Sequence, residues 1–281
     1  MLPVDISLIT SAQRIFTGAN SFSLIAIPFF ILAGNIMNNG GIAVRLVNVA
    51  KVLSGRMPGA LAQSNVVANM MFGAISGSGA AAAIGGTMGP LEEQEGYDKV
   101  FSTAVNIASA PTGMLIPPSN LMIVYSTVAG SVSVAALFVA GYVPGISWGI
   151  GVMALVAYFA KKKGYVSEER VDLKTALHVI VDAIPSLLLI VIIIGGILAL
   201  TSNKYAILIL MNIIILIVGT FMDPTPPVGS ILFTGCKVGG VSIENVMRQL
   251  LPYFFVILLL LILVTYVPAV SMTLPTLAGL V

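Results

Sequence analysis

The chain has 281 residues, 58% of them hydrophobic and only 9% charged, with a mean hydropathy of +1.05. A soluble domain carries roughly 25% charged residues, so most of this chain belongs in lipid. The net charge of +2 is too small to point to nucleic acid, and a single cysteine (Cys236) and a single histidine (His178) exclude an intrachain disulfide, a cysteine-cluster metal site and a His-pair metal site.

Barrel-type alternation is absent and the apolar runs are long, so the spans are expected to be helices. The start, Met1-Leu2-Pro3-Val4-Asp5, has no basic region ahead of an apolar core and is not read as a signal peptide. No clear first spanning helix follows it, and we expect a longer protein. Phe22 to Met37 is apolar, contains Pro28, and stops at Asn38-Asn39-Gly40-Gly41. Residues 42–56 have apolar spacing with Arg45, Lys51 and Arg56, which reads as an amphipathic interfacial helix on the cytoplasmic side.

Residues 57–91 carry no charge. One helical crossing takes about 20 apolar residues, so this run is long for one crossing and short for two. It suits a helical hairpin that enters the membrane and turns back, with Ser76-Gly77-Ser78-Gly79 at its tip. Non-helical backbone at that depth is tolerated only when buried in protein or facing a watery cavity. Two readings stand for the small-residue tip: carbonyls and hydroxyls offered to an ion or substrate, or a tight helix-packing surface.

Glu92 to Lys99 then reads as a solvated loop. The next charge-free run, Val100 to Ala160, is interrupted at Ala110-Pro111-Thr112-Gly113 and Ile116-Pro117-Pro118-Ser119-Asn120, turns at Ala129-Gly130-Ser131, and ends at Lys161-Lys162-Lys163. If 57–91 is a hairpin and 100–128 and 132–160 are crossings, all three charged regions share the cytoplasmic side, as the positive-inside rule asks. Residues 161–174 read as a solvated loop between two halves. His178 and Asp182 fall just before a spanning run, 183–203, and His178 has no visible catalytic partners. A further apolar run from Tyr205 ends at Asp223-Pro224-Thr225-Pro226-Pro227, whose double proline echoes Pro117-Pro118. Double prolines leave carbonyls without helical partners, and paired interruptions in two halves point to a transporter's binding site. Asp223 is either an ionisable group in a polar cavity or an interfacial residue opening a turn. Residues 249–281 supply the last span.

The ordered strings Ile75-Ser76-Gly77-Ser78-Gly79, Gly96-Tyr97-Asp98, Ile116-Pro117-Pro118-Ser119, Thr225-Pro226-Pro227-Val228-Gly229 and Leu250-Leu251-Pro252 to Tyr266-Val267-Pro268 resemble the large membrane subunit of the tripartite ATP-independent periplasmic (TRAP) transporters. Pro118 to Tyr125 looks closer to the sialic acid branch than to the dicarboxylate branch. The resemblance implies an all-α membrane protein of two inverted repeats, with re-entrant hairpins and broken helices working as an elevator. The repeats would be 1–174 and 175–281, the second incomplete. It implies a sodium-coupled transporter of an organic anion in the bacterial inner membrane, with a small membrane subunit and a periplasmic binding protein as partners. On matching positions, Na+ would be held by Ser76, Ser78, Gly113, Pro117 and Ser119 at one site. A second would use the region of Asp223, Thr225 and Pro226. Gly77, Gly79, Asn120 and Pro227 would face the substrate. The sequence departs from the family after Gly195-Gly196, where Leu200-Thr201-Ser202-Asn203 follows, and at Asp223, where one residue replaces the rest of a hairpin before Thr225. We expect joined parts of a longer protein. The competing classes are an intramembrane hydrolase using Ser76 or Ser78 with His178, and a passive structural or channel subunit.

Overall fold

The computed structural model describes residues 42–76, 81–129, 132–165, 172–184 and 230–279, together with positions 10, 13, 15 and 16. The described residues are helical, with no strand among them. In chain order they form α1 (Ile42–Ser54), α2 (Ala60–Ser76), α3 (Ala81–Gln94), α4 (Lys99–Ser109), α5 (Thr112–Leu115), α6 (Asn120–Ala129) and α7 (Val134–Lys163). These are followed by α8 (173–184), α9 (Ser230–Gly239), α10 (Ile243–Tyr266) and α11 (Ala269–Leu277).

The breaks fall where the backbone chemistry puts them. Gly59, at a φ of 71°, separates α1 from α2 in the left-handed region that favours glycine. Gly96, at 79°, closes α3, while Tyr97 N–H donates to Glu92 O at 2.9 Å. Asp98 caps α4 by accepting from Val100 N–H at 3.0 Å.

The run 57–91 forms two helices, α2 and α3, around the four tip residues 77–80, which lie outside the described residues. Asn65, early in α2, bonds Glu92, late in α3, so the helices run antiparallel as a hairpin. At about 1.5 Å per residue the arms are roughly 26 and 21 Å long, short of an apolar core of about 30 Å. Helices α7 and α10 are long and apolar enough to cross a membrane, and α4–α5 with α6 make a third candidate bent by 47°.

Three expected boundaries move. Helix α3 continues to Gln94, so Glu92 is buried inside the bundle and not in a solvated loop; Glu93, Gln94 and Glu95 keep the exposure expected. Helix α7 carries Lys161–Lys163 as its last turn, where cations complement the helix C-terminus. The last span starts at Ile243, because Glu244 and Arg248 fit on an exposed face that a charge-free window does not anticipate. The spanning run from Ala183 lies outside the described residues beyond 184.

Helix α2 sits at the centre, packed against α1, α3, α4, α5 and α7. Its core neighbours include Leu46, Phe101, Ile107 and Trp148. At one end of the bundle Lys163 Nζ lies 2.9 Å from Asp98 Oδ2, and Tyr165 stacks on Tyr97 with ring centroids 4.2 Å apart. Gly59 abuts the Ala160 side chain at that same end. The start of α2, the 95–98 turn and the lysine end of α7 therefore meet at one end of the molecule.

Candidate functional site

The sequence singles out a hairpin tip and a broken helix, and the structure sets the last turns of the first hairpin arm against the break. Helix α4 stops at Ser109–Ala110, and Pro111 and Thr112 lead into the single turn α5. Pro117-Pro118, a cis peptide, separates α5 from α6. Gly113 at this break lies backbone to backbone against Gly73 of α2, and a Cβ on either would overlap the other's main chain. Gly73 is about one helical turn before Ser76. Helix α7 receives the break on a stripe of small residues: Gly141 faces Leu115 O and Met122, and Gly145 faces Ile116.

Of the residues named for the first sodium site, Gly113, Pro117 and Ser119 are buried together at this break. The Ser119 hydroxyl donates to Met114 O at 2.5 Å and accepts from Met122 N–H at 3.3 Å. It therefore ties the two halves of the broken helix and keeps an acceptor position. Asn120, named for the substrate, opens α6 with its Oδ1 buried and without a hydrogen bond. Ser76 ends α2, but its side chain is outside the described residues. Gly77, Ser78, Gly79, Asp223, Thr225, Pro226 and Pro227 are also outside them. Among the described residues no group of three His, Cys, Asp or Glu could hold a metal. The oxygens here are hydroxyl, amide and main-chain groups, which suit a hard, weakly held cation.

Sequence reading missed a second set of polar residues. A ladder runs along α2 from the charged end of the bundle to the break. The Asn65 amide donates to Glu92 Oε1 and Oε2 at 3.2 and 3.4 Å. The Asn69 amide nitrogen lies 2.9 Å from Asn65 Oδ1, 2.9 Å from Asn106 Oδ1 and 3.0 Å from Ser109 Oγ. Thr112 Oγ1 donates to Ser109 O at 2.6 Å, next to Gly113. The available signal was Asn65 and Asn69 at i, i+4 in an uncharged apolar helix, one face of which must then be polar.

Glu92 ends this ladder, in the last turn of α3 and beyond the charge-free run. It is fully buried. Burial pushes its carboxyl up to about 8, and the facing side chains of Asn65 and Ser102, which favour the carboxylate, offset this only in part. It lines a cavity of about 230 Å³ between α2, α3, α4 and α9. His178, by contrast, is exposed on α8.

An all-helical bundle with membrane-length helices, and a helix broken at buried glycine and proline against a hairpin arm, defines a polytopic membrane transporter. The comparisons with known proteins agree. The family model described as "Tripartite ATP-independent periplasmic transporter, DctM component" matches residues 1–201 and 224–270. The chain belongs to this family, the large membrane subunit of TRAP transporters. The internal unmatched stretch, 202–223, lies between the two places where the sequence departs from the family pattern. The chain is 38% identical to "Uncharacterized protein YgiK" of Salmonella typhimurium, covering 98% of this chain and 90% of that protein. That alignment has 390 positions, more than the chain has residues, so the relative carries internal segments without a counterpart here. It is 29% identical to the C4-dicarboxylate TRAP transporter large permease protein DctM of Pseudomonas aeruginosa, over 96% of this chain and 90% of that one. It is 37% identical to the sialic acid TRAP transporter large permease protein SiaM of Vibrio cholerae over 191 residues, 66% of this chain and 44% of that one. The family is one of membrane transporter permeases and not of enzymes, which removes the hydrolase reading. Its large permease works with a small membrane subunit and a periplasmic binding protein.

Proposed function

We propose that this chain moves an organic acid anion across the bacterial inner membrane by sodium-coupled symport. Two inverted repeats would operate as an elevator, and a periplasmic binding protein would deliver the substrate. The observation that carries the reading is the Gly73–Gly113 contact, which sets a hairpin arm against a helix break lined by Ser119 and Asn120. Sodium would bind there through Ser76, Ser78, Ser119 and the main chain near Gly113 and Pro117. Asp223, Thr225 and Pro226 would serve a second ion, and Gly77, Gly79, Asn120 and Pro227 the substrate. The sequence has no nucleotide-binding Gly-x-x-x-x-Gly-Lys loop, so the energy would come from an ion gradient, and the anion would be held by half-helix ends and polar side chains.

Sialic acid is the favoured substrate, on the strength of Pro118 to Tyr125. A C4-dicarboxylate is the second reading, favoured by the near full-length match to a C4-dicarboxylate permease. The test is uptake of labelled acids into proteoliposomes holding both membrane subunits and the binding protein. Uptake should require inward sodium, and Ser78→Ala should raise the half-maximal sodium concentration roughly ten-fold, the effect of about 1.4 kcal/mol. Equal uptake without a sodium gradient would support a passive channel and refute symport.

A further inference from the structure

The cavity at the base of the hairpin has a chemistry of its own. Its walls bring one buried carboxylate, Glu92, together with the side chains of Asn65, Ser102, Thr103 and Asn106. Among the described residues no lysine or arginine lies within ion-pair distance of Glu92. Lys99 and Glu93 line the same cavity, but they pair with each other at 3.2 Å. The other ionisable groups on the helices around it are Arg45 and Lys51 on α1, Cys236 and Lys237 on α9, and Glu244, Arg248, Tyr253 and Tyr266 on α10. The Tyr253 hydroxyl is buried with no hydrogen bond.

An ionised Glu92 would thus be a buried charge faced only by neutral donors, the Asn65 amide and the Ser102 hydroxyl, an arrangement that is costly in general. The Ser102 hydroxyl lines the cavity, is buried, and faces the Glu92 carboxyl, so it can turn an oxygen toward an ion bound there. A polar cavity of this size has room for an ion with water. The donors are oxygens, which hard cations prefer. Only one carboxylate in it is uncompensated, so a single positive charge balances it.

We propose that this cavity is a cation site at which a proton and a sodium ion compete for the Glu92 carboxylate, with Ser102 as a further oxygen ligand. The Asn65–Asn69–Asn106 ladder connects it to the helix break, so its occupancy is placed to bias the packing of the hairpin. The site stands on the cavity alone and does not depend on the sodium site at the break.

The test uses the purified protein in lipid nanodiscs and the infrared carbonyl band of a protonated carboxyl, so it needs no transport. In choline at neutral pH the parent should show a protonated carboxyl that Glu92→Gln removes. Adding sodium should deprotonate it. Direct competition lowers its midpoint by about one pH unit for each tenfold rise in sodium once binding is saturated. Ser102→Ala should keep the band and weaken its sodium response several-fold. No such band in choline, or a band that sodium leaves in place, overturns the proposal. A sodium response undiminished in Ser102→Ala would come from an ion bound elsewhere and overturns it too.

Discussion

Gly113 and Gly73 show how much one hydrogen atom decides. Their main chains touch, so an added methyl has backbone as its neighbour and no flexible side chain to displace. Overpacking of this kind costs about 1–3 kcal/mol, and more where backbone must move. We expect Gly113→Ala to reach the membrane at reduced thermal stability and to lose most uptake, measured in proteoliposomes against the amount of protein inserted. Glu92 makes a pH prediction. Its carboxyl holds its proton more tightly folded, near 8, than at the ordinary value of 4.5. Its contribution to stability is therefore complete below about 4.5 and is lost as pH rises through about 8. In choline the thermal midpoint of the purified protein should fall across that window. Glu92→Gln should flatten the fall, and an equally steep fall in that variant would show that another group is responsible. None of this was legible at Glu92 itself, because it sits first in a run of acids whose other members are solvated.

Caps and breakers decide the elements, and most were legible. Pro117-Pro118, Gly96 and the small-residue run 73–86 signalled the breaks that the structure shows or flanks. The boundary errors share one cause: a charge count cannot see that a helix continues past a charged residue when one face is exposed. Asp98 is the junction of two elements. Partial burial raises its carboxyl, but the Lys163 ammonium and the N–H groups of Val100 and Phe101 outweigh this and hold it below the usual range. It caps α4 and ties it to the end of α7. Asp98→Ala should lower stability by about 1 kcal/mol through the lost cap, read as a drop in thermal midpoint. The exposed ion pair adds little in general, so Lys163→Ala should cost less than Asp98→Ala.

Over the whole molecule, the charged ends of α1, α3 and α7 decide orientation. Asp98 with Lys163, and Gly59 with Ala160, hold three charged segments at one end. In a Cys236→Ser background, cysteines at Lys51, Gln94 and Lys162 should react with an impermeant thiol reagent only from the cytoplasmic side. Labelling of Gln94 alone from outside would mean that the hairpin crosses the membrane. The sequence by itself determined the membrane class, the hairpin, the broken helix and the family, because hydropathy, Gly/Pro breaks and spaced motifs are local properties of the chain. Only the tertiary structure decided that Glu92 is buried, that Asn65, Asn69, Asn106 and Ser109 form one ladder, and that Gly73 meets Gly113. Those facts depend on which helix faces are brought together across 27 to 40 residues of intervening chain, and no local pattern encodes that choice.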